Sequence, residues 1–367
     1  MSGTSDKVLM KGNDAIAEAA IRAGCRAYFG YPITPQNELI AYMAKNMLDK
    51  GRVFIQAESE TAAVNMVYGA SAAGARAMTS SSSPGISLKQ EGISYAAGAD
   101  IPMVVVNVVR GGPGLGAIAP AQSDYFQATR GGGHGDYYCI VLAPKSVQEC
   151  ADLTYLAFDL ADEWRMPVIV LADGMIGQMM EGITLPPERH PDDLPKRDWS
   201  AGHLAERGRK EARHITSLDL IPENLEAKTK ARFERYERIK EKEVRFEAAG
   251  TEGADIILAA YGTSARVALG AKKLAEKAGV KVGLFRPITL WPFPYKRLAS
   301  IAESGAPILT IEMSMGQLVE DVKLSLLERA PHTPQSAVHL LGHSGGVIPT
   351  EEEVFERIHT IVKGNEQ

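Results

Sequence analysis

Four short stretches carry the residue types needed to hold an anionic substrate and move a proton. They are Tyr31-Pro32-Ile33-Thr34-Pro35, Gln56-Ala57-Glu58-Ser59-Glu60, Ser80-Ser81-Ser82-Ser83-Pro84-Gly85, and Arg110-Gly111-Gly112-Pro113-Gly114-Leu115-Gly116. Two prolines frame Thr34, so the backbone is stiff and the hydroxyl is held in one place. Such a residue serves either as the N-cap of a helix running Gln36 to Asp49, with Pro35 as its first helical residue, or as the wall of a binding site. The two uses are compatible, because a helix N-terminus offers free N–H groups to an anion. Glu60 follows Ser59 at a helix start, where a carboxylate complements the helix dipole. Its small apolar neighbours Ala57, Ala62, Ala63 and Val64 also suit a carboxylate held against a ligand nitrogen. Arg110 closes the most hydrophobic run of the chain and opens into glycine and proline. An arginine there forms a structural ion pair or binds a carboxylate or phosphate.

Other stretches point to less. The order Gly111-Gly112-Pro113-Gly114-Leu115-Gly116 is a poor match to a dinucleotide fingerprint, since proline interrupts it and no amphipathic helix follows directly. His134, within Gly131-Gly132-Gly133-His134-Gly135-Asp136, reads as a solvated loop histidine. No P-loop, nucleophile elbow or zinc-type histidine pair occurs. The three cysteines, Cys25, Cys139 and Cys150, form no C-x-x-C pair, which predicts reduced thiols and no iron–sulfur cluster or zinc site on this chain.

The elements that must position these stretches follow from periodicity. Strand-like runs at Ala27–Gly30, Arg52–Gln56, Ala77–Ser81, Ile101–Val109 and Pro167–Ala172 alternate with helical patterns at Glu60–Gly74, Ser87–Gly98 and Ser146–Ala161. Alternation of this kind predicts a doubly wound parallel sheet, and each of the four stretches lies at the carboxyl end of a strand, where such sheets bind ligands. Beyond Leu185 prolines and charges crowd the chain. Asn224 to Glu247 reads as one charged helix, with favourable i, i+4 pairs Glu234–Arg238 and Glu241–Arg245. A second α/β pattern begins at Ala254, with strands at Ile256–Ala260, Val280–Phe285, Ile308–Glu312 and Val338–Leu341. The division is 1–185, a linker 186–252, and 253–367.

The chain has 367 residues, 45% hydrophobic and 23% charged, with a net charge of −5. That balance argues against nucleic acid as a partner. No apolar run reaches the ~20 residues needed to span a bilayer, and Met1–Asp6 lacks the parts of a signal peptide, so the expected location is the cytoplasm.

Taken together, the four stretches resemble the alpha subunit of the 2-oxoacid:ferredoxin oxidoreductases. Gln122-Ser123-Asp124 joins them, and the second half supplies Phe285-Arg286-Pro287-Ile288-Thr289-Leu290-Trp291-Pro292-Phe293-Pro294, Ile311-Glu312-Met313-Ser314-Met315-Gly316-Gln317 and Gly342-His343-Ser344-Gly345-Gly346. The resemblance covers essentially the whole chain. It implies a pyrimidine-type thiamine diphosphate-binding domain followed by a smaller transketolase-C-terminal-like domain. It implies that Glu60 hydrogen-bonds the cofactor's aminopyrimidine ring, that Ser83, Pro84 and Gly85 line the pyrimidine side, and that Tyr31, Thr34 and Arg110 meet the substrate. The reaction implied is oxidative decarboxylation of a 2-oxoacid with coenzyme A, giving acyl-CoA, CO₂ and reduced ferredoxin.

The family binds the diphosphate through Mg²⁺ on a Gly-Asp-Gly motif with a downstream asparagine. Here Ala172-Asp173-Gly174 is the nearest approach, and no asparagine occurs between Asp173 and Asn224. A beta subunit is therefore expected to bring Mg²⁺ and the diphosphate site, with gamma and ferredoxin-like delta subunits carrying iron–sulfur clusters. The likeness is strongest to subunits for branched-chain 2-oxoacids such as 2-oxoisovalerate. Members acting on 2-oxoglutarate tend to carry an extra basic residue after the arginine strand, and Leu115-Gly116-Ala117-Ile118-Ala119-Pro120 has none, though Arg130 is a further cation nearby in sequence. The competing readings are a 2-oxoglutarate-type alpha subunit, a dinucleotide-dependent oxidoreductase, and a non-catalytic scaffolding subunit in which Glu60 and Arg110 are structural.

Overall fold

A computed structural model describes residues 7–195, 197–202, 213–329 and 337–364. Met1–Asp6, read above for a signal peptide, lies outside the described residues. The chain opens with β1 (Val8–Lys11) and α1 (Gly12–Arg22), then β2 (Ala27–Gly30), α2 (Asn37–Asp49), β3 (Val53–Gln56), α3 (Glu60–Ala72), β4 (Ala77–Ser81), α4 (Ser83–Gly98) and β5 (Met103–Val109). It continues with α5 (Tyr125–Thr129), β6 (Ile140–Leu142), α6 (Val147–Trp164), β7 (Pro167–Asp173), α7 (Gly174–Gln178) and β8 (Met180–Ile183). Then come α8 (Pro222–Lys242), β9 (Phe246–Ala249), β10 (Ile256–Ala259), α9 (Gly262–Lys277), β11 (Val282–Pro287), β12 (Thr289–Trp291), α10 (Tyr295–Ala302), β13 (Ile308–Glu312), α11 (Leu318–Arg329), β14 (Val338–Gly342) and α12 (Glu351–Gly364).

The large sheet has the order β12-β6-β7-β5-β4-β2-β3, parallel except where β12 joins antiparallel to β6. β5 is Met-Val-Val-Val-Asn-Val-Val and buried at every position, as expected of a central strand covered on both faces. The small sheet runs β14-β13-β10-β11-β9, with β9 antiparallel at its edge. β1 and β8 form a separate antiparallel pair. This is the parallel α/β architecture expected from the alternating pattern.

The two sheets are stitched together by polar clamps rather than by packing alone. Arg286, with 0% of its side chain exposed, holds Glu149 through both terminal nitrogens, at 3.0 and 2.8 Å, and Glu247 at 2.9 Å. Despite the cost of burial, these bonds and Lys145 hold the Glu247 carboxyl down at about 2. Trp291 stacks on Tyr138 with ring centroids 4.8 Å apart, and Tyr236 of α8 packs edge-on against both.

The structure departs from the sequence expectations in several places: α4 begins at Ser83 rather than Ser87, and β12 from the second half of the chain joins the large sheet. The charged helix stops at Lys242, and Phe246–Ala249 is strand, so Glu241 and Arg245 are not one helical turn apart; Arg245 pairs with Glu243 at 2.8 Å instead. Phe246 faces Phe285, and that pairing draws the segment into the small sheet. Thr34 caps no helix: α2 begins at Asn37 behind Gln36, after a turn holding a cis Thr34–Pro35 peptide.

Candidate functional site

The parallel pairing of β5, β4, β2 and β3 sets four strand ends side by side, and the four stretches singled out above leave the sheet there. After β3, Ser59 is an extended N-cap whose Oγ accepts the Ala62 N–H at 3.1 Å, which makes Glu60 the first residue of α3. Glu60 is 6% exposed, whereas Glu58 is exposed, so the two carboxylates are not equivalent. Among the described residues no hydrogen-bond donor and no cationic nitrogen within 4.0 Å meets the Glu60 carboxylate. The carboxylate lies against Gly85 in the first turn of α4. A Cβ at Gly85 would stand 2.6 Å from Glu60 Oε1 and 2.1 Å from Ser81 Oγ, so only glycine leaves the room. The Ser81 and Ser82 hydroxyls beside it are buried and unpartnered.

Arg110 ends β5 and is also 6% exposed. Among the described residues it forms no ion pair: Nη1 donates to the Thr34 carbonyl at 2.9 Å and to Thr34 Oγ1 at 3.4 Å, and Nη2 to the Leu115 carbonyl at 3.1 Å. Its Nε is buried without an acceptor. A buried guanidinium with no counter-ion is costly unless an anion arrives, and the structural ion pair considered for Arg110 is not formed. The glycine loop beyond it closes on itself through Ala117 N–H to Gly111 O (2.8 Å), Gly111 N–H to Ala119 O (2.9 Å) and an Arg110–Pro120 bridge. No helix starts there, which removes the geometry a dinucleotide phosphate would need. Leu115 and Ile118 are left exposed on this loop.

The first turn of α4 ties the two charges together. Ser83 Oγ accepts the Arg110 N–H at 3.1 Å and donates to its carbonyl at 3.2 Å, two residues before Gly85. Asp124 stands behind Ser83, bonded to it and to Asn107 Nδ2 at 2.8 Å; burial pushes its carboxyl up while these bonds pull it back. Thr34 is exposed at the rim, with Tyr31 half-buried nearby, so Tyr31, Thr34, Glu60, Ser83, Pro84, Gly85 and Arg110 belong to one end of the sheet. Arg130 does not reach it. It is spent on the buried Asp321 at 2.7 Å, which also accepts the hydroxyls of Tyr125 and Tyr295. His134 is exposed and edge-on to Tyr95.

Several supporting residues were not singled out in the sequence. Gln36 takes a hydrogen bond from Ser80 Oγ at 2.6 Å, Ser80 meets the Tyr28 hydroxyl at 2.6 Å, and Gln36 reaches back to the Tyr31 carbonyl. Asn13 and Gln178 both donate to the Pro35 carbonyl at 2.8 Å. Lys89 of α4 is wholly buried beneath Glu60. The signal that could have found it is its place three residues after Ile86 and four before Ile93, on the apolar side of the helix.

Asp173 is used differently from a metal ligand. Its Oδ1 accepts Ile176 N–H at 3.1 Å and Thr263 Oγ1 at 2.6 Å, and its Oδ2 accepts Thr263 N–H at 2.8 Å, tying β7 to the start of α9. Gln122 clamps the same seam through Tyr261 O, Ser264 Oγ and Met313 N–H. Gly345 and Gly346 pack directly on Gly111 and Ala119, bracing the arginine loop from the small sheet. Among the described residues no cluster of three or more His, Cys, Asp or Glu is placed to hold a metal ion, and no helix is long and apolar enough to cross a membrane.

Residues 18–248 match the family described as pyruvate flavodoxin/ferredoxin oxidoreductase, thiamine diP-binding, and residues 254–354 match pyruvate:ferredoxin oxidoreductase core domain II. The chain is 48% identical to ketoisovalerate oxidoreductase subunit VorB of Methanothermobacter marburgensis, over 96% of this chain and 97% of that one. It is 36% identical to 2-oxoglutarate synthase subunit KorA of the same organism, over 96% and 99%. Among solved structures it is similar to the 2-oxoglutarate:ferredoxin oxidoreductase from Magnetococcus marinus with 2-oxoglutarate, coenzyme A and succinyl-CoA bound. The TM-score is 0.84 at 28% identity, covering 98% of this chain and 66% of that one. The fold is shared with a split-gene transketolase at TM-score 0.59 and 14% identity, over 96% and 97%.

Proposed function

The chain belongs to the pyruvate flavodoxin/ferredoxin oxidoreductase family of thiamine diphosphate-binding enzymes, as one subunit of a multisubunit complex, and from that premise we propose that it is the alpha subunit of an oxidoreductase for branched-chain 2-oxoacids, with 2-oxoisovalerate as the favoured substrate. The observation that carries the reading is the pair of buried, oppositely charged side chains, Glu60 and Arg110, each without an ion-pair partner among the described residues and both braced by the first turn of α4.

The residues fit the family's cofactor. The Glu60 carboxylate laid against Gly85, with no donor among the described residues, and the unpartnered hydroxyls of Ser81 and Ser82 together suit a ring bearing N–H groups. Thiamine diphosphate, when bound, supplies the electron sink for loss of CO₂ from the 2-oxoacid. Glu60 holds and moves a proton at its carboxylate, with the small buried residues Ala57, Ala63 and Val64 as its apolar sequence neighbours. Arg110 and Thr34 orient the substrate carboxylate, and Tyr31 and Pro84 flank them. Ser83, Gly85 and Asp124 fix the positions of these groups. Asp173 is already spent on Thr263 and Ile176, which supports assigning Mg²⁺ and the diphosphate to a beta subunit, with iron–sulfur clusters and the path to ferredoxin on further subunits.

The substrate reading rests on charge. The Leu115–Pro120 loop bears no cation, and Arg130 is committed to Asp321, so the second carboxylate of 2-oxoglutarate would meet no positive charge on this wall. Leu115 and Ile118 offer apolar contact to a branched side chain instead. Turnover of 2-oxoisovalerate and 2-oxoglutarate by the reconstituted complex, at equal concentration, tests this. A preference for the branched acid by about tenfold or more supports it, within what burying an unpaired charge costs; a preference for the dicarboxylate overturns it.

A further inference from the structure

Lys89 is the one lysine of the described residues with none of its side chain exposed, and the mechanism above does not use it. It lies on α4 one turn after Gly85. Its Nζ donates to the Glu60 carbonyl at 3.2 Å and to Thr79 Oγ1 at 3.0 Å. α4 therefore touches Glu60 at two points a turn apart: Gly85 against the carboxylate and Lys89 beneath the main chain. Of the titratable groups on the elements packed around Lys89, Glu60 is the one that faces it. Thr79 represents β4, β5 carries no titratable side chain, Asp173 of β7 is bonded to Ile176 and Thr263, Tyr68 lies toward the far end of α3, and Glu91 and Tyr95 of α4 pair with each other at the surface. A methionine would fill the same space without burying a charge, so packing alone does not account for a lysine here.

We propose that Lys89 is a positioning residue for Glu60: its ammonium pins the first residue of α3 to β4 and α4, and places a buried positive charge beneath the helix start that carries the Glu60 carboxylate. The proposal rests on the assignment of Glu60 as the proton-transfer group. Burial brings the Lys89 ammonium down to about 8, against the opposing pull of Glu60. The positioning charge is therefore present at neutral pH and is lost as the pH rises through that value.

A double-mutant cycle in the reconstituted complex tests this, using Lys89→Met, Glu60→Gln and the pair, with kcat, KM for 2-oxoisovalerate, the pH profile and the Kd for thiamine diphosphate as readouts. Lys89→Met is expected to lower kcat about tenfold at neutral pH, within the coupling seen for groups in one network, with KM little changed. It is also expected to weaken cofactor affinity, and to lack the fall in kcat above about pH 8 that loss of the Lys89 charge predicts for the parent. Glu60→Gln combined with Lys89→Met is expected to be no slower than Glu60→Gln alone, because no carboxylate remains to be positioned. Lys89→Gln, which keeps a donor but no charge, separates the tether from the charge and stands in if the methionine variant fails to assemble. If Lys89→Met and Lys89→Gln both keep parental kcat and cofactor affinity, or if the two losses multiply in the double variant, the proposal is wrong while the Glu60 assignment stands. Near-parental activity in Glu60→Gln alone would instead remove the assignment on which it rests.

Discussion

Gly85→Ala is the sharpest perturbation of the site, because the structure states what the added methyl group meets. The Cβ would stand 2.1 Å from Ser81 Oγ and 2.6 Å from Glu60 Oε1. The serine hydroxyl has no partner and can rotate away at little cost. The Glu60 carboxylate must retreat by about 0.8 Å to reach the 3.4 Å at which ordinary contact begins. It cannot carry its backbone along, since the Glu60 carbonyl is held by Lys89 and the helix start by the Ser59 cap. A displacement near 1 Å at a proton-transfer group costs about 10²-fold in rate. The net stability change should stay below about 2.5 kcal/mol, since alanine favours the helix by about 0.5–1 kcal/mol against about 1–3 kcal/mol for overpacking. The assay is the rate of 2-oxoisovalerate decarboxylation by the reconstituted complex, alongside urea denaturation. Gly69→Ala is the control, since nothing lies within 4 Å of its Cβ position, and it is expected to gain about 0.5–1 kcal/mol with activity unchanged. Activity of Gly85→Ala within about threefold of the parent would refute the claim that the carboxylate's position matters to the reaction.

Three other outcomes are expected. Lys89→Met should stabilise the fold at neutral pH. The lysine falls from 10.5 unfolded to about 8 folded, so its buried charge costs up to about 3 kcal/mol below pH 8, a penalty that fades as the pH rises toward 10.5. Urea midpoints at pH 7 and pH 10 check this, and a larger advantage at pH 10 would contradict it. Asp173→Ala should cost about 1–3 kcal/mol for each buried donor of Thr263 and Ile176 it strands, while the Mg²⁺ requirement of the complex stays the same; a raised Mg²⁺ requirement would show Asp173 to be a ligand. Arg110→Lys should raise the KM for the 2-oxoacid by about tenfold or more, because a lysine cannot span the Thr34 and Leu115 carbonyls and still face an anion.

Much of this site was legible from residue order because its parts lie where local rules act. Ser59 before Glu60 is a cap, and the β-branched run before Arg110 is a buried strand, so both charges could be assigned to strand ends. Thr34 was open to a second use because threonine followed by proline looks like a helix start; the helix in fact waits for Asn37, and the loop is fixed by Asn13 and Gln178, more than twenty residues and more than a hundred residues away. β12 joins the large sheet from the far part of the chain through only Thr289–Trp291, a segment too short to show a period. The end of α8 was misread because charged residues continue past Lys242, and only the contact of Phe246 with Phe285 turns them into strand. Lys89 escaped because a lone lysine on a helix is ordinarily solvated, and its burial depends on how α3 crosses α4.

The central claim, that Glu60 is the proton-transfer group of a thiamine site shared with a partner subunit, is tested most directly by the decarboxylation rate of the reconstituted complex carrying Glu60→Gln at saturating thiamine diphosphate and Mg²⁺. The substitution keeps the size and the Ser59-capped helix start while removing the charge. A complex that assembles as the parent does and turns over 2-oxoisovalerate at least ~10²-fold more slowly is the predicted result; an assembled complex with near-parental turnover would contradict it.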